Sequence, residues 1–305
     1  MNKLQQTISL VKEQDKWRGS ECLNLIASEN KLSPLAQSLY SSDFIGRYAE
    51  GEPYKRHYQG TKIIDQLESR AIELTKQLFN ADQVELRPIS GAEANRIVLA
   101  AYCKPGDTIM SYATPSGGHF THNSGARRYG FQTYSFPLTD DYFHIDIKKT
   151  KEELRRIKPK LLILGKSLFL FQEPIKELKE LFDGPIVYDA AHVLGLIAGN
   201  KFQNPLEEGA SVVTASTHKT FFGPQGGLIY ARNLKEFERI KKSVVETVSN
   251  HHLMRIPPYL IACLEFMETG REYASQIIRN AQTLAKALHK KGLDVKCAEF
   301  GFTET

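Results

Sequence analysis

The sequence predicts an α/β protein in which a mainly parallel sheet is sandwiched between two layers of helices, a three-layer α/β/α arrangement. From about residue 60, short apolar runs alternate with stretches of helical periodicity, the pattern of repeated strand–helix–strand units. At 305 residues the chain is long enough to bury one large core and carry a small appendage. Hydrophobic residues at 41% and charged residues at 25% match globular averages, which excludes a disordered chain or a coiled coil. No internal repeat or low-complexity stretch interrupts the reading.

Taken in order, Leu4, Ile8 and Val11 recur at helical spacing, so residues 2–18 read as an amphipathic arm of the kind that packs on a partner subunit. A helix is expected near 62–79, a strand near 83–87, a helix over 92–103 and a strand over 108–112. A helix near 150–157, a strand over 161–164, a helix over 174–182 and strands over 185–189 and 210–215 follow. A long helical stretch from about 259 to 290, broken near Gly270, leads to an expected strand at Asp294–Ala298. The expected domains are therefore an arm over 1–20, a major ligand-binding domain over 21–270, and the start of a smaller C-terminal domain over 271–305. In such a sheet, ligands gather at the carboxyl ends of the strands.

Forty basic residues against 35 acidic ones give a net charge of +5, and the basic residues are scattered. That distribution suits a small anionic ligand and argues against nucleic acid. Cys22, Cys103, Cys263 and Cys297 form neither CxxC pairs nor a dense framework, so a reducing, cytoplasmic compartment is expected. No stretch has signal-peptide or membrane-spanning character, and no membrane partner is expected.

The chemistry concentrates at Ser216-Thr217-His218-Lys219, at the end of a β-rich run and followed by Gly223-Pro224-Gln225-Gly226-Gly227. A lysine at a strand end, beside hydroxyls and a histidine and before a glycine-rich turn, is placed to form a Schiff base, which points to pyridoxal phosphate. Ser216, Thr217 and His218 stand to donate hydrogen bonds to the cofactor. That cofactor needs a carboxylate at its ring nitrogen, and Asp189 ends the apolar run from Gly184 to Tyr188. An Asp in that place also caps turns. Ser90-Gly91-Ala92 opens a helix with free backbone N–H groups, a phosphate site by geometry and equally a plain N-cap. In Gly117-Gly118-His119-Phe120-Thr121-His122, a flat imidazole at His119 is expected over the cofactor ring. Zinc is disfavoured there because no third ligand or HExxH frame accompanies the pair, and no metal is expected. His251-His252 reads as structural. Gly165-Lys166-Ser167 mimics a P-loop end, but position 160 is Lys; as a nucleophile elbow it fails at Phe169.

From about residue 17 onward the chain resembles the serine hydroxymethyltransferases. Leu25-Ile26-Ala27-Ser28-Glu29-Asn30 looks like the family's entry motif, and Tyr48-Ala49-Glu50-Gly51 is similar to its strongest signature. The resemblance implies the major domain of a fold type I pyridoxal-phosphate transferase and a cytoplasmic homodimer with shared sites. It implies an amino-acid substrate, with serine and glycine interconverted and the one-carbon unit passed to tetrahydrofolate. Residue by residue it implies substrate contacts from Ser28, with Tyr48, Glu50 and Tyr58 reaching across the dimer, Glu50 handling protons. It implies a phosphate cradle at Ser90, Gly91 and Ala92, ring stacking by His119, and Ser167 near O3′. Asp189 and His192 fall at the ring nitrogen, and Lys219 on the cofactor lysine; Lys219, Glu50, His119, Asp189 and Tyr58 form the expected catalytic set.

The chain also departs from that pattern. The family's Tyr-Tyr-Gly-Gly is His57-Tyr58-Gln59-Gly60, and its Gly-Pro-Arg-Gly-Gly carries Gln225 in place of the arginine. Its Gly-Gly-Pro turn is Asn250-His251-His252, its serine-rich segment is Leu168-Phe169-Leu170-Phe171, and a leucine beside the folate loop is Phe120. Gly301-Phe302-Thr303-Glu304-Thr305 looks like the start of the family's Gly-Gly-Thr-Asp segment, beyond which its carboxylate-binding arginine lies. These departures keep two alternatives open: a folate-independent aldolase or transferase of another β-hydroxy amino acid, and an inactive cofactor-binding homologue with an interaction role.

Overall fold

Asn2 starts the first helix with a capping box. Its side chain accepts from the Gln5 amide, the Gln5 side chain accepts from the Asn2 amide, and α1 (Lys3–Lys16) follows. A computed structural model describes residues 2–298, so the segment Gly301–Thr305 lies outside the described residues. The helix of the arm is shorter than expected because Trp17–Glu21 widens into a π-turn. Nothing on α1 is buried, and Leu4, Leu10 and Val11 face solvent in the isolated chain.

After α2 (Pro34–Ser38), strands β1 (Gly51–Glu52) and β2 (Lys55–Arg56) form a small antiparallel hairpin. Arg56 anchors it: buried against α3 (Lys62–Phe79), it binds Asp65 at 2.8 Å and Glu68 at 2.6 Å. His251 joins the same network through Nε2, 3.0 Å from Glu68, which is the structural role expected of it.

Next come β3 (Gln83–Glu85), α4 (Gly91–Tyr102), β4 (Thr108–Ser111), α5 (Ser124–Arg128) and β5 (Gln132–Ser135). The chain continues through α6 (Ile147–Ile157), β6 (Leu161–Leu164), α7 (Ile175–Leu181), β7 (Ile186–Asp189), α8 (Leu194–Ala198) and α9 (Pro205–Glu208). It then forms β8 (Val212–Ser216), β9 (Gly227–Ala231), α10 (Leu234–Thr247) and α11 (Ile256–Lys290). The seven-stranded sheet has the order β3-β9-β8-β7-β6-β4-β5. Pairs among β5, β4, β6, β7 and β8 are parallel, whereas β9 runs antiparallel to both β3 and β8. Strands β6 to β9 are buried along their whole length because helices cover both faces, as continuous apolar runs require.

Two expectations at the C-terminal end are corrected. Gly270 does not break the long helix, which runs unbroken for 35 residues. The close approach at this point depends on Gly199: a Cβ there would overlap the Gly270 carbonyl, so the two backbones touch where α11 crosses the end of α8. Residues 294–298 are a coil and turn rather than a strand, and Ala298 instead joins Ala285 in a small apolar cluster with Leu170 and Phe171.

Candidate active site

Parallel strands end on one side of the sheet, and the loops after β4, β6, β7 and β8 converge there on the N-terminus of α4. Ser90 caps that helix by accepting from the Glu93 amide at 3.1 Å, so its side chain takes the N-cap role, and it is Gly91 and Ala92 that line the cleft. The glycine is needed for close approach, since a Cβ at Gly91 would overlap the hydroxyl of Ser216 at the end of β8. His119, Ser167, Asp189, His192, Ser216 and Lys219 line the same cleft.

His218 does not. Ser216 lines the cleft, Thr217 ties back to the Pro224 carbonyl at 2.6 Å, and the half-buried His218 is not among the lining residues. The Thr217 amide donates to the Gly226 carbonyl at 3.1 Å, so the glycine-rich turn folds back on the lysine segment. Gln225, where the family pattern has arginine, is exposed.

Asp189 is the electrostatic centre. One oxygen accepts from the Ala191 amide at 3.0 Å, the turn-capping bond that an Asp at this position is expected to make. The other accepts from the Asn95 side chain at 2.7 Å and faces His122 Nε2 at 3.3 Å. Burial alone would raise its pKa, but the His122 contact, the potential of His122 and His119, and the Asn95 amide outweigh it and hold the carboxyl well below the usual carboxylate range. Asp189 therefore stays ionised although almost fully buried.

The imidazoles behave oppositely. Burial pushes His119 down to about 4, and burial with the nearby Lys219 pushes His192 down to about 3, so both are neutral near pH 7. His119 Nδ1 lies 2.8 Å from the Thr121 hydroxyl, which fixes the ring. Phe120 packs against it with centroids 4.4 Å apart.

Three residues in or behind the cleft escaped the sequence reading: Asn95 and Lys166 line it, and His122 contacts Asp189. Asn95 lies one turn into α4, and its amide joins Asp189, Thr121 at 3.1 Å and Thr214 at 2.6 Å. His122 was weighed only as a zinc ligand; among the described residues no cluster suits a metal ion. Lys166 was read as part of a false P-loop, yet it borders the cleft while its amine is held by the Phe143 carbonyl at 2.9 Å, Glu173 at 3.5 Å and the Tyr112 ring at 4.5 Å. Spacing alone carried a signal for Asn95, four residues after the phosphate-site glycine on the same helix face.

Ser28, Tyr48, Glu50 and Tyr58 are not in the cleft lining. Tyr48 and Tyr58 pack edge to face at 5.3 Å, and with the exposed Ser28 they stand on the surface of the N-terminal third.

A strand-end lysine, an ionised buried carboxylate, a neutral imidazole and a glycine-opened helix N-terminus form the donor set that pyridoxal phosphate requires. Fold and cleft together define a pyridoxal-phosphate-dependent enzyme. The comparisons narrow the class. The family model for serine hydroxymethyltransferase matches residues 1–299. The serine hydroxymethyltransferase of Saccharolobus solfataricus is 42% identical over 310 residues, covering 99% of this chain and 71% of that protein. The one from Archaeoglobus fulgidus is 46% identical over 292 residues, covering 93% and 66%. Among solved structures, an L-threonine transaldolase from Pseudomonas fluorescens superimposes with a TM-score of 0.89 at 32% identity, covering 99% of this chain and 72% of that one. The chain belongs to the serine hydroxymethyltransferase family.

Proposed function

We propose that the protein interconverts serine and glycine, passing the hydroxymethyl carbon to tetrahydrofolate. The observation that carries this reading is the meeting of Lys219, Asp189 and His119 in one cleft at the strand ends. When bound, pyridoxal phosphate supplies an electron sink for the charge left at the substrate Cα. Lys219 is the amine that holds the cofactor and yields it to the incoming amino acid. Asp189, kept ionised by His122 and Asn95, would hold the proton on the pyridine nitrogen, with His192 completing that group. His119, uncharged and fixed by Thr121, presents a flat face to the ring. Gly91, Ala92, Ser167 and Ser216 line the cleft; Gly91 and Ala92 would offer backbone N–H groups to the phosphate with Ser216, and Ser167 would serve O3′. Ser28 binds the amino acid and Glu50 moves a proton at its hydroxyl, with Tyr48 and Tyr58 bordering the substrate.

Those last four residues stand outside the cleft of one chain, which supports a homodimer in which each copy completes the other's site. The exposed Leu4, Leu10, Val11, Leu23, Leu25 and Ile45 of the N-terminal third suit such an interface. We also read residues 21–270 as the cofactor domain and 271–305 as the start of a smaller one, supported by α11 running on to the Ala285–Ala298 cluster. A cytoplasmic location is proposed from the free cysteines; among the described residues no helix is long and apolar enough to cross a membrane.

The test is spectroscopic. Purified protein loaded with pyridoxal phosphate should be yellow, and borohydride should fix the cofactor on Lys219; failure to load would refute the enzymatic reading. Glycine with tetrahydrofolate should build a new long-wavelength band. A second reading, a folate-independent aldolase or transaldolase, is favoured by the likeness to a threonine transaldolase and by the exposed Phe120 and Leu168. Cleavage of a β-hydroxy amino acid at a rate indifferent to folate would select it. Cofactor binding with no response to any amino acid would leave a binding homologue.

A further inference from the structure

Asn30 is 189 residues from Lys219 and 243 from Tyr273 in sequence, yet its side-chain amide joins them. Nδ2 donates one hydrogen to the Lys219 backbone carbonyl at 2.6 Å and the other to the Tyr273 hydroxyl at 2.8 Å. Oδ1 accepts from the Lys31 amide at 2.8 Å, which fixes which way the amide points and commits both N–H bonds to these two acceptors. A single group therefore ties the Leu25–Asn30 segment and α11 to the backbone of the cofactor lysine.

The opposite side of the lysine turn is gripped as well. Phe221 and Phe222 stack on Phe266 of α11 with centroids 4.4 Å and 4.0 Å apart, and the Tyr273 ring meets Phe222 edge-on at 4.8 Å. Residues 219–222 are thus held both by the Asn30 amide at Lys219 and by aromatic contacts at Phe221 and Phe222, with Tyr273 common to both. Burial raises the Tyr273 pKa, and its oxygen accepts from Asn30 in the neutral form.

We propose that Asn30 is a positioning residue for Lys219, holding the lysine's backbone still while its amine exchanges partners. Through the same amide, the segment that carries Ser28 and the helix that leads toward the C-terminal region both bear on where that amine stands. A carbonyl pinned by a buried strand would need no such tie. Lys219 lies just past the end of β8, where ladder hydrogen bonds have stopped.

The inference rests on Lys219 being the cofactor lysine, and borohydride trapping in the unmodified protein tests that separately. The test of Asn30 uses the intact, cofactor-loaded chain. Asn30→Asp is isosteric but donates no hydrogen; Tyr273→Phe removes one hydroxyl and keeps the ring. Asn30→Asp should slow the displacement of Lys219 by glycine by roughly tenfold and shift the pH midpoint of the cofactor's visible absorbance by about half a unit, the size expected for one or two lost hydrogen bonds. Tyr273→Phe should act in the same direction by roughly threefold, and the double variant should be no slower than Asn30→Asp alone. Cofactor affinity and thermal midpoint should stay near those of the unmodified protein, whereas a merely structural role would move both. Unchanged displacement and absorbance in Tyr273→Phe and Asn30→Asp overturns the proposal, as does a double variant whose losses multiply. If Asn30→Asp fails to fold, Asn30→Ser, which keeps one donor, takes its place with the same expected ordering. Failure of trapping in the unmodified protein sinks the cofactor reading instead.

Discussion

Asn95→Ala should damage the cleft more than any loss of contact with substrate could explain. The side chain makes three buried hydrogen bonds: to Asp189 at 2.7 Å, to Thr121 at 3.1 Å and from Thr214 at 2.6 Å. Truncation leaves the Thr214 hydroxyl without its acceptor and removes a donor from an ionised carboxylate. A buried neutral group left unpaired costs about 1–3 kcal/mol, and a hydrogen bond to a charged group is worth about 1.5–3 kcal/mol, so a loss of roughly 2–5 kcal/mol in unfolding free energy is expected. Part of that loss acts through protonation. Asp189 contributes stability above its unfolded pKa, and the contribution disappears as pH falls through the depressed folded value. Removing Asn95 raises the folded value toward normal, so the variant should lose stability at a higher pH than the parent in the acid range. The assay is urea unfolding between pH 3 and pH 8, paired with titration of pyridoxal phosphate. Cofactor affinity should fall at least about tenfold, because the ring nitrogen would meet a less firmly ionised carboxylate. A variant within about 0.5 kcal/mol of the parent, with unaltered cofactor affinity and acid profile, would refute the role assigned to Asn95, since substitutions away from such features usually fall in that range.

Further outcomes follow from other parts of the molecule. Gly165→Ala should destabilise the protein by about 1–3 kcal/mol and weaken cofactor binding, because φ is +104° there and a Cβ would overlap the Asp189 carbonyl; unchanged unfolding would contradict it. Arg56→Met should cost about 3–5 kcal/mol, since it strands Asp65 and Glu68 in a buried site with His251 as the remaining partner of Glu68; calorimetry would measure the loss. His119 and His192 bind fewer protons folded than unfolded between their depressed values, about 4 and about 3, and the ordinary value near 6.5. Stability should therefore rise with pH across that window and level off above it, and His119→Asn should flatten the rise without removing it.

Much of the fold was legible because central strands buried on both faces read as uninterrupted apolar runs, as in Leu161–Leu164 and Ile186–Asp189; β9, equally buried, was missed because it follows the glycine-rich turn directly. The edge strand β5 was not, because Gln-Thr-Tyr-Ser carries no apolar run; it is identified by pairing with β4, a contact between distant residues. The same division explains the site. Lys219, Asp189 and Gly91 sit where a strand ends or a helix begins, and such positions carry local chemical marks: a glycine, a hydroxyl, a charge after an apolar run. Asn95, His122 and Asn30 act by reaching across the fold, Asn95 to β7 and β8, His122 to Asp189, Asn30 to Lys219 and α11. Helix spacing from Gly91 marks Asn95 and a motif contains Asn30, but neither pattern tells which residue each one holds, because the distance that matters is set by how helices pack on the sheet. The substrate is the harder case for the same reason. Ser28, Glu50 and Tyr58 do not line the cleft of their own chain, so on the proposed reading their chemistry would depend on a surface contributed by a second copy. Gln225, Phe120 and Leu168 are exposed, and the proposed homodimer would set their bearing on folate at the junction between copies. Measuring folate dependence as protein concentration is lowered through the dimer range would therefore test both at once: if each copy completes the other's site, cofactor loading should persist after dissociation while turnover falls.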